Sequence, residues 1–196
     1  MSEEERATWD RRYRDGSYQP RPSPFSLLEQ MIDRLPRGRA LDVACGGGRN
    51  ALFLAAHGYE VEAVDGSPEA LRLAEEQARE QQLAVRWTEA DLDDYVPAHG
   101  GYAVIVNCFY LNRPLLKRLA GALADDGYLF VEQHLHTPLP VPGNREWRLE
   151  PNELLRTLGD LRIVRYEEAV GKDEDPSRDR DIAMVRAVAC KGSGGF

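Results

Sequence analysis

The chain has 196 residues, 42% of them hydrophobic, which is enough for one compact domain with a substantial core and too apolar for a disordered chain. A formal charge of −8 argues against an extended nucleic-acid groove, because phosphate contacts need clustered Lys and Arg. Three scattered cysteines, Cys45, Cys108 and Cys190, are too few for a disulfide framework or a zinc site, and free thiols fit the cytosol.

The opening residues MSEEERATWD have neither a basic start nor an apolar stretch, so no signal peptide is expected. No run approaches the ~20 apolar residues that span a bilayer. A cytoplasmic protein without a membrane partner is the expectation. Residues 3–14 read as a short charged helix with Trp9 and Tyr13 four apart, on one face. The turn-rich connector GSYQPRPSP completes an arm over 1–24. The arm either staples onto the domain or covers a ligand site. Residues 25–35 carry Leu27, Leu28, Met31, Ile32 and Leu35 at helical spacing before Pro36, a packing helix.

Residues 40–65 organise the rest. A short apolar run, 40–44, is interrupted by Asp42 and followed by Gly46, Gly47 and Gly48. A helical pattern covers 50–57, Gly58 ends it, and a second strand-like run, 59–64, stops at Asp65. Strand, glycine turn, helix, strand and terminal acid describe a nucleotide-binding βαβ unit. Glycine lets the turn take positive φ and a ligand lie against the backbone. The helical crossover brings the turn and Asp65 to one sheet edge, where a carboxylate suits ribose hydroxyls.

Gly46, Gly48 and Ala51 also fit the G-x-G-x-x-G/A fingerprint of NAD-binding folds. Against that reading, Asp42 lies four residues before Gly46, where a carboxylate would repel a pyrophosphate at the helix N-terminus. S-adenosylmethionine carries an ammonium and a sulfonium and no phosphate, so an acid there favours it.

Farther along, Ser67-Pro68-Glu69 starts a helix with a side-chain cap, a proline and an acid in the first turn. It is followed by a strand at 83–88 and the acidic stretch Glu89-Ala90-Asp91-Leu92. The unbroken apolar run 102–106 predicts a strand buried on both faces. It ends in Asn107-Cys108-Phe109-Tyr110-Leu111, on the side where open α/β sheets bind ligands. Cys108 reads as a buried, inert thiol. Asn112 and Pro114 open a helix closed by Asp125-Asp126-Gly127, and 128–132 is a fifth strand. The loop 133–148, with three prolines and a glycine, should wall a substrate pocket. His134 and His136 in it face the same way if extended. With no third ligand near them a metal is not expected, and His134 is the general-base candidate. A short helix at 150–158 and strands at 161–166 and 182–189 complete the chain, joined by a charged turn, EEAVGKDEDPSRDRD, expected to carry no chemistry. Two strands joined without a helix must be able to pair antiparallel. Residues 191–196 read as a flexible tail.

These residues together resemble class I S-adenosylmethionine-dependent methyltransferases along nearly the whole chain. The family's glycine motif, Asp/Glu-x-Gly-x-Gly-x-Gly, falls on Asp42, Ala44, Gly46 and Gly48, with Ala44 as a departure from glycine. Gly48-Arg49-Asn50, a short helix and Gly58-Tyr59 are similar to the small tellurite-resistance and thiopurine-type methyltransferases. The resemblance implies a Rossmann-like, doubly wound α/β sheet of seven strands, six parallel and one antiparallel. It also implies the arm as a lid, and Asp91 facing the adenine amino group. The cofactor set is then Asp42, Ala44, Gly46, Gly47, Gly48, Asn50, Asp65, Gly66, Ser67, Asp91, Leu92 and Asn107. Acceptor-side candidates, from position and chemistry, are Trp9, Tyr13, Arg49, Tyr110, Arg113, His134 and Arg145. The two prolines that follow Asn/Asp in nucleic-acid amino methyltransferases are absent after Asn107. The expected reaction is methyl transfer to a small molecule, by a monomer or homodimer. A nicotinamide-dependent oxidoreductase and a catalytically silent ligand-binding protein are the alternatives.

Overall fold

The computed structural model describes residues 2–138, 145–173 and 180–193. Its centre is a seven-stranded sheet in the order β3-β2-β1-β4-β5-β7-β6. The strands are β1 Arg39–Val43, β2 Glu60–Asp65, β3 Val85–Glu89, β4 Tyr102–Cys108, β5 Leu123–His134, β6 Arg162–Lys172 and β7 Asp181–Cys190. β7 runs antiparallel to both β5 and β6, and the remaining pairs are parallel. Six strands therefore point one way and the last in sequence is inserted against them. An all-parallel dinucleotide fold has no such strand.

The helices are α1 Glu3–Arg14, α2 Ser26–Met31, α3 Arg49–Ala56, α4 Pro68–Glu80, α5 Arg113–Ala122 and α6 Glu153–Thr157. Period-two alternation sorts the strand residues between two apolar layers. Leu41, Val43, Ile105, Leu129 and Val131 face α5 and α6, packing with Leu115, Leu119 and Leu154. Ala40, Val104, Val106 and Phe130 face the other layer, with Phe25 just before α2 and Leu28, Ala51, Leu54 and Leu71 of α2, α3 and α4. Every residue of β4 is buried, as expected for a central strand covered on both sides. Helix starts follow local chemistry. Ser67 Oγ accepts from Ala70 N–H at 3.1 Å and Asn112 Oδ1 from Leu115 N–H at 2.8 Å, each with a proline in the first turn.

Four expectations change. The helix read over 25–35 is α2 followed by a 3-10 turn, Ile32–Arg34. The loop expected from 133 begins later, because Gln133 and His134 continue β5; of the rest, 139–144 lie outside the described residues, and Arg145–Trp147 form a 3-10 turn. The charged turn is shorter than its composition suggests. Residues 167–172 belong to β6, where pairing with β7 supplies the hydrogen bonds that polar side chains do not oppose on an edge strand; 174–179 lie outside the described residues. Finally, Lys191 is not frayed: its N–H donates to Gly127 and its Nζ reaches Leu123 O at 3.0 Å. Residues 194–196 are outside the described part. Among the described residues no helix is long and apolar enough to cross a membrane.

Candidate active site

The carboxyl ends of β1, β2, β4 and β5 meet at one edge of the sheet, and the antiparallel strand brings the end of β6 and the start of β7 to the same edge. The loop after β1 is a cradle of left-handed residues, with φ of +57° at Ala44, +52° at Gly46 and +79° at Gly48. Alanine at +57° is strained, since its Cβ crowds the following carbonyl by about 1–2 kcal/mol. Glycine relieves that strain but loses more freedom on folding. Ala44→Gly is therefore expected to stabilise the fold by about 0.5–1 kcal/mol, read as a rise in the urea midpoint.

Asp42 is buried beneath this cradle and accepts the Ala51 N–H at 3.0 Å. That N–H is one of the free donors in the first turn of α3. Burial pushes the Asp42 carboxyl up to about 7, against the pull of Arg49 and the Ala51 N–H. Asp65, at the end of β2, accepts Gly46 N–H at 2.8 Å on one oxygen and Ser67 N–H at 2.9 Å on the other. With the Gly66 N–H also bonded to the carboxylate, one of its four lone pairs is left for an outside hydroxyl. Burial raises its carboxyl too, opposed by those N–H bonds and that of Gly66.

The arm lies directly on the cradle. Asp10 accepts Ser67 Oγ–H at 3.0 Å and Glu69 N–H at 2.9 Å, so it caps α4 from outside. Tyr13 is hydrogen-bonded to the Gly47 backbone, and its phenol, raised by burial and by Tyr18 and Asp65, stays protonated. Its hydroxyl is so close to Gly46 that a β-carbon there would collide with it. Trp9 and Tyr13 each pack on Tyr18, ring centroids 5.2 Å apart. Phe25 N–H then donates to Asn50 Oδ1 at 2.8 Å, anchoring the far end of the arm.

On the neighbouring side, Asp91 accepts Asp93 N–H at 3.0 Å. Asp93 takes Tyr110 Oη–H at 3.0 Å and Asn112 Nδ2–H at 2.7 Å, so Tyr110 is tied into the acidic loop. Leu92 is buried in the core behind it. Asn107 links strand ends: its Nδ2 donates to Val43 O at 3.3 Å and its Oδ1 accepts from Gln133 at 2.9 Å.

Beyond Asn107 the site changes sign. Phe109 takes φ +60°, costly for a bulky side chain, and its ring lies 5.2 Å from that of His134. The Arg21 guanidinium stacks over Phe109 at 4.3 Å and that of Arg49 at 5.7 Å. Arg49 pairs with buried Glu132 at 3.4 Å, and Arg186 with the same carboxylate at 2.9 Å. Arg21 pairs with buried Asp173 at 2.8 Å, shared with Arg180 at 3.2 Å. The turn expected to be inert thus delivers a carboxylate to the site.

Burial, with Arg21, Arg148 and Arg180 nearby, pushes His134 down to about 4. The imidazole is neutral at pH 7 and a weak base, ill-suited to the proton abstraction expected of it. Burial raises the Cys108 thiol well above its usual value, in keeping with an inert group. Arg113 pairs with Glu153 and donates to Glu146 O and Arg148 O, clamping α6 to the preceding turn instead of standing free for a substrate. Arg145 pairs with Glu150 on the exposed surface. Neither joins the group around Phe109. Among the described residues no three His, Cys, Asp or Glu side chains gather as metal ligands.

Sequence reasoning passed over Asp10, Arg21, Glu132, Asp173 and Arg186. For Glu132 and Arg186 a signal existed. Each is a charge inside an apolar strand run, YLFVE and IAMVRAVAC, and such charges are buried only with a partner.

A family profile described as a methyltransferase domain matches residues 40–127, from β1 into the start of β5. Over these residues the chain carries a methyltransferase domain and is similar to the class I S-adenosylmethionine-dependent methyltransferases. The cofactor of that class is S-adenosylmethionine. Among curated relatives, hemagglutinin 1 of Eikenella corrodens is 28% identical over 160 residues, 74% of this chain and 51% of its own length. A ubiquinone biosynthesis O-methyltransferase of Pectobacterium carotovorum is 32% identical over 98 residues, 48% of this chain and 41% of its own. The chain thus spans about half the length of these relatives. TehB from Haemophilus influenzae has the same fold, with a TM-score of 0.72 at 21% identity over 84% of this chain and 61% of that one.

Proposed function

We propose that this protein transfers the methyl group of S-adenosylmethionine to a small-molecule acceptor in the cytoplasm, as one domain with the arm over 1–24 as its lid. The observation that carries the reading is Asp42. Its carboxylate already holds the Ala51 N–H at the start of α3, the kind of donor a pyrophosphate would need. A second acid, Asp65, faces the same cradle. Two carboxylates repel a dinucleotide and attract a ligand that carries an ammonium and a sulfonium.

In this reading Asp42, Ala44 and Gly46 to Gly48 receive the amino-acid end of the cofactor. Asp65 takes the ribose with Gly66 and Ser67 behind it, and Asp91 with Leu92 borders the adenine. Asn50 and Asn107 act from behind, holding the arm and the strand ends. Tyr13 closes over the cradle as a neutral hydroxyl, so the lid adds no charge against the sulfonium, and Trp9 supports it.

The sulfonium is an activated leaving group, so the remaining task is in-line placement of the acceptor with water excluded. Phe109, Arg49, Tyr110 and neutral His134 stand at the strand ends next to that point. Calorimetric titration with S-adenosylmethionine, S-adenosylhomocysteine and NADH tests the reading. The first two should saturate one site and NADH should not bind; binding of NADH alone overturns it. Asp65→Ala should weaken S-adenosylmethionine binding about ten-fold or more, the worth of one charged hydrogen bond; unchanged affinity removes Asp65 from the ribose. Turnover of any acceptor separates an enzyme from a silent binding protein.

A further inference from the structure

The two halves of the site carry opposite charge. The cofactor cradle is bordered by Asp10, Asp42, Asp65 and Asp91, whereas guanidinium groups gather around Phe109 and His134. In a protein of net charge −8 this is the reverse of the average surface. Among the described residues, Arg21, Arg49, Arg180 and Arg186 share two carboxylates there, Asp173 and Glu132, each already held by two guanidiniums. Arg148 adds its charge next to His134.

From this, and resting on the methyl-transfer reading above, we propose that the acceptor enters as an anion whose negative charge lies against Arg21 of the arm and Arg49 of α3, beside Phe109. A guanidinium has five donors in a fixed fork, so Arg21 retains donors after pairing with Asp173, and Arg49 after pairing with Glu132 and donating Nη1–H to Ser23 O at 2.9 Å. Held 4.3 and 5.7 Å from the centre of the Phe109 ring, they define a place as well as a charge. The reaction then balances without a base. The anionic acceptor atom donates an electron pair to the methyl carbon, the carbon–sulfur bond breaks, and its pair returns to sulfur. One negative and one positive charge vanish, so the methylated acceptor carries one negative charge fewer than the acceptor did, beside S-adenosylhomocysteine. No proton has to be removed in that step, which agrees with a His134 that stays neutral. The arm would also serve both substrates, Tyr13 covering the cofactor and Arg21 meeting the acceptor.

The test uses the whole protein saturated with S-adenosylhomocysteine, and the isosteric probes benzoate and benzamide at millimolar concentrations. Binding is followed by NMR at the imidazole of His134. Benzoate should bind about ten-fold tighter than benzamide or better. Arg21→Gln should bring the ratio close to one, Arg21→Lys should restore most of it, and S-adenosylhomocysteine affinity should not change in either variant. Equal binding of the two probes, no binding of benzoate, or a preference that survives Arg21→Gln overturns the proposal. Failure of S-adenosylhomocysteine itself to bind would instead overturn the methyl-transfer reading. If Arg21→Gln lowers the melting temperature, the two probes are compared below it, where S-adenosylhomocysteine still saturates the variant.

Discussion

Asp42→Asn weakens S-adenosylmethionine binding by about 30- to 150-fold at pH 8, the equivalent of about 2–3 kcal/mol for a lost charged contact in a partly buried site. The effect depends on pH, and its sign follows from the carboxyl held at about 7 in the free protein. A cationic ligand favours the ionised form and pulls that value down. Below pH 7 binding must therefore release a proton. Affinity rises with pH up to about 7 and levels off above it. In Asp42→Asn the dependence on pH disappears over that window, and the buffer-dependent heat that marks proton release disappears with it.

The folded state alone has the opposite slope. Because the folded carboxyl titrates above its unfolded value of 3.8, the folded chain binds more protons between about 4 and 7. The contribution of Asp42 to stability is thus full at low pH and declines as pH rises through 7. The Asn variant, which can still accept the Ala51 N–H, should be no less stable than the parent at pH 8. Loss of binding together with unchanged melting separates a ligand contact from a folding defect. Retained affinity in the Asn variant would return the cradle to a dinucleotide.

The cradle could be read from sequence because its chemistry is local. Asp42, three glycines and Asp65 lie within one βαβ unit, and the spacing of strand, turn and helix fixes where each comes to rest. The missing helix between 166 and 182 pointed to an antiparallel last pair, and the count of six parallel strands and one antiparallel came from the resemblance to the methyltransferases. The acceptor side could not be read in this way. Arg21, Arg49, Glu132, Asp173 and Arg186 come from five separate segments, and only the sheet order β5-β7-β6 brings them to one edge. Asp173 shows the limit plainly. In sequence it is one acid in a charged turn; in the fold its side chain is fully buried between Arg21 and Arg180. Arg113 shows the converse, a cation at the right place in the chain whose guanidinium is consumed by α6. Spacing also left no trace of Asp10, which in a charged helix looks solvated and instead caps α4.

Gly48→Ala should be the most damaging single change in the cradle, and for two separable reasons. At φ +79° a β-carbon is strained by about 1–2 kcal/mol. It would also sit 2.9 Å from the Trp87 ring and 3.0 Å from the β-carbon of Ala74, closer than packed carbons approach. Trp87 is on β3 and Ala74 on α4, so relief requires a shift of packed elements, a further 1–3 kcal/mol or about that. The total, about 2–5 kcal/mol, should appear as a lower urea midpoint with unchanged slope. S-adenosylmethionine binding should fall with it, since the N-terminus of α3 moves. Trp87→Leu separates the two causes. In the double variant the ring no longer blocks the new methyl group, so the two changes should cost less together than their sum by about 1–2 kcal/mol, while the part due to φ remains. Simple additivity would mean that backbone strain alone demands glycine at 48. Gly46→Ala provides the contrast. There the new methyl adds the strain of φ +52°, about 1–2 kcal/mol, but meets only Tyr13 of the arm, so no packed element has to shift and the loss in the fold should be the smaller of the two.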